Sequence, residues 1–489
     1  MEFHTLSSFA LADGIKRRRF TAVAVLEHFL ARIERLNHAL NAIILLRPEA
    51  AQQQAQAADE AADRGEDLGA LHGVPMTIKE TFEIAGWPTT AGHSRYRDHI
   101  PDTTAPAVQR LLDAGAIIMG KTNVPELAGD LQSYNDIYGT TNNPWNTALT
   151  PGGSSGGAAA ALAAGLTPLE LGSDIGGSIR TPAAFCGIYG LKPTYGLVPT
   201  RGHIPGPPGS LAKRDIGVAG PMGRHLDDLE GALDLLAGPD RQDATAWQLT
   251  LPPATKSQLS HYHIAAWLDD DRCQPDQPVR LALERVVDAL RGAGARVDVS
   301  ARPDNLTLRE SDNLFYDLLA GVMGGGLPDT LLNKLSTQVD GANPQDYRVR
   351  FARGATQSHA HWLQQDEQRA RLQARWAHFF ETVDALICPV VHTLPFAHDQ
   401  SGSAPSRTLL INGQSEPYMD ITVWAGLAGV AGLPALSIPV GQTPEGLPLA
   451  VQIVGPAYSE RRLLALARLL DQLMNPHGLP WPPEAPGQK

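Results

Sequence analysis

Two short clusters of glycine and serine constrain this chain more than any other feature. They are Gly152-Gly153-Ser154-Ser155-Gly156-Gly157 and Gly172-Ser173-Asp174-Ile175-Gly176-Gly177-Ser178-Ile179-Arg180. Paired glycines beside a serine let main-chain N–H groups converge where a Cβ would intrude. A cradle of that kind holds an anion or a developing oxyanion. Two ordinary turns are the bland alternative. The proline at Pro182 is expected to open a helix at its first turn, where its missing N–H costs nothing. Ser178 would then lie just before a helix N-terminus, whose dipole favours negative charge.

Two nearby patterns are weighed and set aside. Gly115 to Thr122 fits G-x-x-x-x-G-K-T, but the residues between its glycines are apolar and strand-like rather than a flexible phosphate-binding turn. Gly152 to Gly156 fits the G-x-S-x-G nucleophile elbow. That elbow needs a hydrophobic strand directly before it, and here a polar turn ending in Pro151 precedes it.

A serine nucleophile needs a base. The chain has 16 histidines, and none stands in a recognisable relation to these serines. His72 reads as a surface or packing residue, and the His261/His263 and His359/His361 pairs as exposed ones. Lys79 ends the apolar run Gly73-Val74-Pro75-Met76-Thr77-Ile78. A lysine held in low dielectric can be neutral, and a neutral amine can accept a proton from serine.

The rest of the chain supplies a frame. Thr21 to Leu36 has apolar residues at helical spacing with Thr21 as N-cap. Helices are also expected over 50–62, 104–114, 158–164, 226–236 and 460–470, and strands over 73–79, 116–119, 169–173, 386–390 and 449–454. This alternation predicts an α/β core with at least partly parallel strands. The stretch 240–382 reads as mostly helical, and no chemistry can be placed in it. The apolar stretch Val423 to Val440 is broken by glycines and prolines and reads as buried core, not a membrane span.

Composition narrows the classes. Hydrophobic residues make up 43% and charged residues 19%, enough for a large core and against disorder. With 52 acidic against 40 basic residues, the formal charge is −12, which argues against general nucleic-acid binding. Cys186, Cys273 and Cys388 are too scattered for a disulfide framework or a zinc cluster. The first residues show no basic segment leading into an apolar one, so a cytoplasmic protein is expected.

Five segments together resemble the amidase signature family of serine hydrolases. They are Gly73 to Glu80, Gly120 to Glu126, Pro151 to Gly157, Leu171 to Pro182, and Cys186 to Thr194. Similarity is dense over 71–221 and faint in the helical middle. The resemblance implies one amidase-signature domain over 1–489. Its large mixed sheet would be mostly parallel, with helices on both faces and 240–382 as a variable substrate-facing region. It implies a Ser–cis-Ser–Lys triad: Ser178 as nucleophile, Ser154 as the bridging serine after a cis peptide, and Lys79 as base. The oxyanion hole would be the N–H groups of Ile175, Gly176, Gly177 and Ser178. Ser155, Asp174 and Arg180 would support the site, and Ala128 and Gly129 would line the substrate pocket.

The implied activity is hydrolysis of a carboxylic amide, aryl, fatty acyl or carbamate in type, to acid and amine. No metal or organic cofactor is expected. Within the family, Glu80-Thr81 after the lysine places the chain nearer the fatty-acid-amide-hydrolase-like bacterial amidases than the A subunit of the tRNA-dependent amidotransferase. That glutaminase-like subunit is the alternative, and a non-catalytic binding protein on the same fold is a second. The expected partner is a small-molecule amide, with no nucleic acid, no membrane span, and a homodimer as the family-level expectation.

Overall fold

The computed structural model describes residues 1–204, 207–337, 339 and 343–483. Its strands are β1 (Ile43–Leu46), β2 (Pro75–Lys79), β3 (Ile117–Thr122), β4 (Tyr134–Asn135), β5 (Gly139–Thr140), β6 (Leu169–Asp174), β7 (Tyr189–Lys192) and β8 (Val218–Gly223). They continue with β9 (His263–Ala266), β10 (Arg296–Asp298), β11 (Ala385–Pro389), β12 (Thr408–Ile411), β13 (Gln414–Pro417), β14 (Ala435–Gln442) and β15 (Pro448–Val454). Eleven of these form one sheet in the order β1-β3-β2-β6-β8-β7-β14-β15-β11-β9-β10. The α/β class and the mixed sheet agree with the sequence.

The balance of strand directions differs from the expected parallel majority. Parallel pairing is confined to β3-β2-β6 on one flank and β11-β9-β10 on the other. The middle, from β6 through β15 to β11, is antiparallel. Connection length accounts for three of these pairings. Parallel neighbours need a crossover of a dozen or more residues. The helix Pro106–Asp113 supplies one between β2 and β3, and Gln277–Gly292 another between β9 and β10. Between β14 and β15 there is only a tight turn, where Thr443 N–H donates to Leu447 O at 2.8 Å. A tight turn returns the chain antiparallel.

Strands β2, β3, β6, β7, β8, β11 and β15 are buried at every position. Both faces of that part of the sheet are therefore covered. The helix Gly156–Ala163 has no polar face, and all eight of its residues are buried. The stretch 240–382 is not purely helical: β9 and β10 within it extend the sheet. The apolar stretch near the C-terminus folds as the buried helix Ile421–Val430 and the strand β14. Among the described residues no helix is long and apolar enough to cross a membrane.

Thr21 caps the helix Ala22–Leu40 by accepting from Ala24 N–H at 3.0 Å. Lys121 lies inside the buried strand β3, and its ammonium donates to Thr89 Oγ1 at 2.6 Å and Pro88 O at 2.9 Å. A strand committed to the sheet cannot wrap a phosphate, so this segment forms no phosphate loop.

Candidate active site

The site is assembled where β2 and β6, parallel neighbours, reach their C-terminal ends. Strand β2 ends on Lys79 and β6 on Asp174. The loop from Gly152 to Ser155 leads into the helix Gly156–Ala163 and closes over both ends. The Gly153–Ser154 peptide is cis. Ser155 N–H donates to Ser178 O at 3.1 Å and ties the two glycine-serine loops together.

Lys79 is fully buried, and its Nζ stands 2.7 Å from Ser154 Oγ, 2.9 Å from Ser155 Oγ and 2.9 Å from Ser173 Oγ. Burial pulls its pKa down to about 7, against the opposing pull of the Asp174 and Glu170 carboxyls. Burial also pushes Glu170 up to about 8, so at neutral pH that carboxyl is largely uncharged. An amine surrounded by hydroxyls, with no carboxylate in contact, can accept a proton and is not half of an ion pair. The Ser178 hydroxyl has no hydrogen-bond partner among the described residues. Catalytic hydrogen bonds commonly tighten only when substrate is seated.

The loop after β6 is shaped by one carboxylate. Asp174 accepts from Gly177 N–H at 2.9 Å and Ile179 N–H at 3.1 Å, and takes two hydrogen bonds from one edge of the Arg180 guanidinium, Nε at 3.0 Å and Nη2 at 2.9 Å. Burial alone would raise the Asp174 pKa, but Arg180 holds it well below the usual carboxylate range. Arg180 also donates to Ala425 O at 2.9 Å and Gln452 Oε1 at 2.5 Å. Because Gly177 N–H is committed to Asp174, the main-chain donors left in the loop are those of Ile175, Gly176 and Ser178. Gly177 has φ of +104°, and a Cβ there would lie 2.7 Å from Thr181 Oγ1 and 2.9 Å from Ala425 Cβ. Both reasons exclude a side chain. The following helix spans Arg180–Cys186, so Pro182 lies in its first turn but does not open it.

With both partners of the Asp174–Arg180 pair at 0% side-chain exposure, Asp174→Ala should cost about 3–5 kcal/mol, because it strands a buried guanidinium. Urea unfolding of the variant measures it.

The segment expected to line the pocket is beside this loop. Gly153 packs so closely on the 130–132 backbone that a Cβ would lie 2.8 Å from Asp130 O. Leu127 and Ala128 both adopt positive φ, at 50° and 54°. Asp130 anchors the segment by accepting from Tyr418 OH at 2.6 Å, Tyr134 OH at 2.9 Å and Arg407 Nη1 at 2.6 Å. Across the loop, Thr422 and Phe315 stand nearest the open side of Gly176. The neighbouring Tyr316 packs edge to face against Tyr347.

His72 is a packing residue: its Nε2 is 2.9 Å from Ala58 O and its Nδ1 accepts from Leu68 N–H. His203 is different, and sequence reasoning missed it. Its Nε2 is 2.8 Å from Ser173 Oγ, which itself touches Lys79. Nothing in the spacing of residues 173 and 203 signals that contact.

The family model described as Amidase matches residues 24–464. The chain belongs to the amidase family. Its similar relatives include the A subunit of the glutamyl-tRNA(Gln) amidotransferase of Methylococcus capsulatus, 33% identical over 97% of this chain and 98% of that protein. The corresponding protein of Nitratidesulfovibrio vulgaris is 33% identical over 98% of each. Among solved structures, one comes from a vestigial protein complex that reveals the evolutionary origins of an s-triazine catabolic enzyme. It matches with a TM-score of 0.80 and 29% identity, over 97% of this chain and 100% of that one.

These relatives overturn two expectations. The chain does not stand nearer the fatty-acid-amide-hydrolase side: a fatty acid amide hydrolase matches at 23% identity, a likeness of fold alone. The expectation of a small-molecule partner, no nucleic acid and a homodimer is corrected as well. The amidase relatives at 33% identity are, by name, subunits of an enzyme of glutamyl-tRNA(Gln). The motif after the lysine misled because two residues weigh little against similarity along the whole chain.

Proposed function

We propose that this amidase hydrolyses a carboxamide through a Ser178 acyl-enzyme, and that it does so as the glutamine-hydrolysing component of an amidotransferase. The observation that carries the chemistry is the buried Lys79 amine 2.7 Å from Ser154. The name of the full-length relatives supports the finer assignment.

The order of steps follows from proton accounting. Neutral Lys79 accepts the Ser154 proton as Ser154 accepts the Ser178 proton. Ser178 Oγ bonds to the amide carbon, and the carbonyl oxygen becomes an oxyanion. The N–H groups of Ile175, Gly176 and Ser178 face that charge and stabilise it. The Lys79 proton returns through Ser154 to the leaving nitrogen, the C–N bond breaks, and ammonia or an amine departs. Water then enters by the same relay and releases the acid. Ser155 holds the lysine, Asp174 and Arg180 hold the loop, and Ala128 and Gly129 line the acyl pocket. The stretch 240–382 carries Phe315 to the same wall.

The base form of Lys79 is the deprotonated one, so kcat/KM should rise through about pH 7 and fall about tenfold per unit below it. A profile flat down to about pH 5 contradicts a lysine base. The substrate assignment is tested by hydrolysis of glutamine against a panel of aryl and alkyl amides, with the chain purified alone and with co-expressed partner proteins. Preference for glutamine in an assembled complex supports it. Equal turnover of simple amides by the lone chain overturns the glutamine assignment while leaving the hydrolysis in place. A fluorophosphonate should add its mass to Ser178, and labelling of Ser154 instead contradicts the roles given.

A further inference from the structure

The environment of Lys79 poses a question of proton direction. A neutral amine has two N–H donors and one lone pair, yet three hydroxyls touch Lys79 Nζ. Two of them must accept, and the third must donate into the lone pair. Only if that third hydroxyl is Ser154 does the lysine serve the relay. Ser155 Oγ has another acceptor for its proton, Ser173 O at 3.3 Å. Ser173 Oγ has a choice, and the group that faces it on its far side is His203.

Resting on the relay proposed above, we propose that His203 is a positioning residue that fixes the direction of the Ser173 hydroxyl and so reserves the Lys79 lone pair for Ser154. With the imidazole neutral and its proton on Nδ1, Nε2 accepts from Ser173 O–H at 2.8 Å. Ser173 Oγ must then accept from Lys79. If Nε2 carried a proton, Ser173 would accept from the ring and turn its own hydrogen onto the amine, in competition with Ser154.

The ring is built into this place. Phe82 and His203 form an isolated antiparallel bridge. Glu83 N–H donates to Gly202 O, and Ile204 N–H to Thr81 O, each at 2.8 Å. Phe82 packs against the imidazole at 4.7 Å between centroids, edge to face. Thr81 Oγ1 lies 3.0 Å from the same Nε2, and because that nitrogen has a single lone pair, the nearer Ser173 hydroxyl takes it. The charged groups that face the ring are Lys79 and Arg214. Burial first, joined by Arg214 and by Lys79 when it is protonated, draws the His203 pKa well below its ordinary value and keeps the ring neutral.

The test compares pH profiles of kcat and KM for the wild-type chain, His203→Leu, His203→Gln, Ser173→Ala and the Ser173→Ala/His203→Leu double variant. His203→Leu should lower kcat about 10- to 100-fold with KM within about twofold. Its acid limb should move about one unit lower, because protonated Lys79 loses an oriented acceptor. Gln can present an acceptor oxygen at the Nε2 position, and His203→Gln should restore most of both effects. The double variant should lose no more than Ser173→Ala, since the two act in series. Equal losses in the Leu and Gln variants with unmoved acid limbs, or additive losses in the double variant, overturn the proposal. Titration of Lys79 Nζ by nitrogen NMR in the wild-type chain and in His203→Leu reads the same shift without turnover. The inference is therefore judged even if the amide assignment fails, and an unchanged midpoint rejects it.

Discussion

Ser178→Ala should lower kcat/KM on the order of 10⁴-fold or more, and no acyl-enzyme should form. Ser178 is the serine whose hydroxyl has no partner among the described residues. It also lies next to the N–H groups that Asp174 leaves unclaimed. Removing its Oγ removes the atom that bonds to the amide carbon, while Ser155 still donates to the Ser178 backbone carbonyl. The variant should therefore fold, and a melting temperature close to wild type is part of the expected result. Single-turnover kinetics with a chromogenic amide separate loss of acylation from loss of binding. Activity within tenfold of wild type would place the nucleophile elsewhere.

Lys79→Met should lower kcat/KM about 10³-fold or more, near the upper range for loss of a general base. Methionine keeps the length and apolar stem and deletes the amine. Three hydroxyls then lose their shared partner. The variant should also lose the acid limb near pH 7, because the group that titrates there is gone. The sign follows from the chemistry: protonation of the amine removes the base, so activity falls as pH falls, and without the amine no such fall remains. Residual turnover that kept the wild-type limb would assign the base to another group. Stability should not fall sharply, because removing a buried amine also removes its desolvation cost.

Much of the site was legible because its chemistry is written in adjacent residues. The glycine at Gly177 is demanded by a positive φ and two close neighbours, and a run of glycines beside serine signals such crowding. The apolar strand that ends on Lys79 announced a buried amine. The start of the helix Ala22–Leu40 followed from hydrophobic spacing and the Thr21 cap, which are local properties. The antiparallel middle of the sheet was not legible. A fully buried strand reads the same whichever way its neighbour runs, as β6 does between parallel β2 and antiparallel β8.

His203 shows the same limit at the site. Nothing around Thr200-Arg201-Gly202-His203 marks a residue that reaches the lysine's hydroxyl shell. The Asp174 bond to Gly177 N–H is a similar case, since the family resemblance implied four donors where the loop leaves three.

The sequence by itself marked the residues proposed for the reaction centre: two hydroxyls, one amine and a loop of main-chain donors. Those choices depend on residue type and on neighbours a few positions away. Tertiary structure alone decided how protons can run among them. The directions of hydrogen bonds depend on which groups from distant strands and loops meet in space, and that meeting is set by packing of the whole sheet rather than by any local pattern.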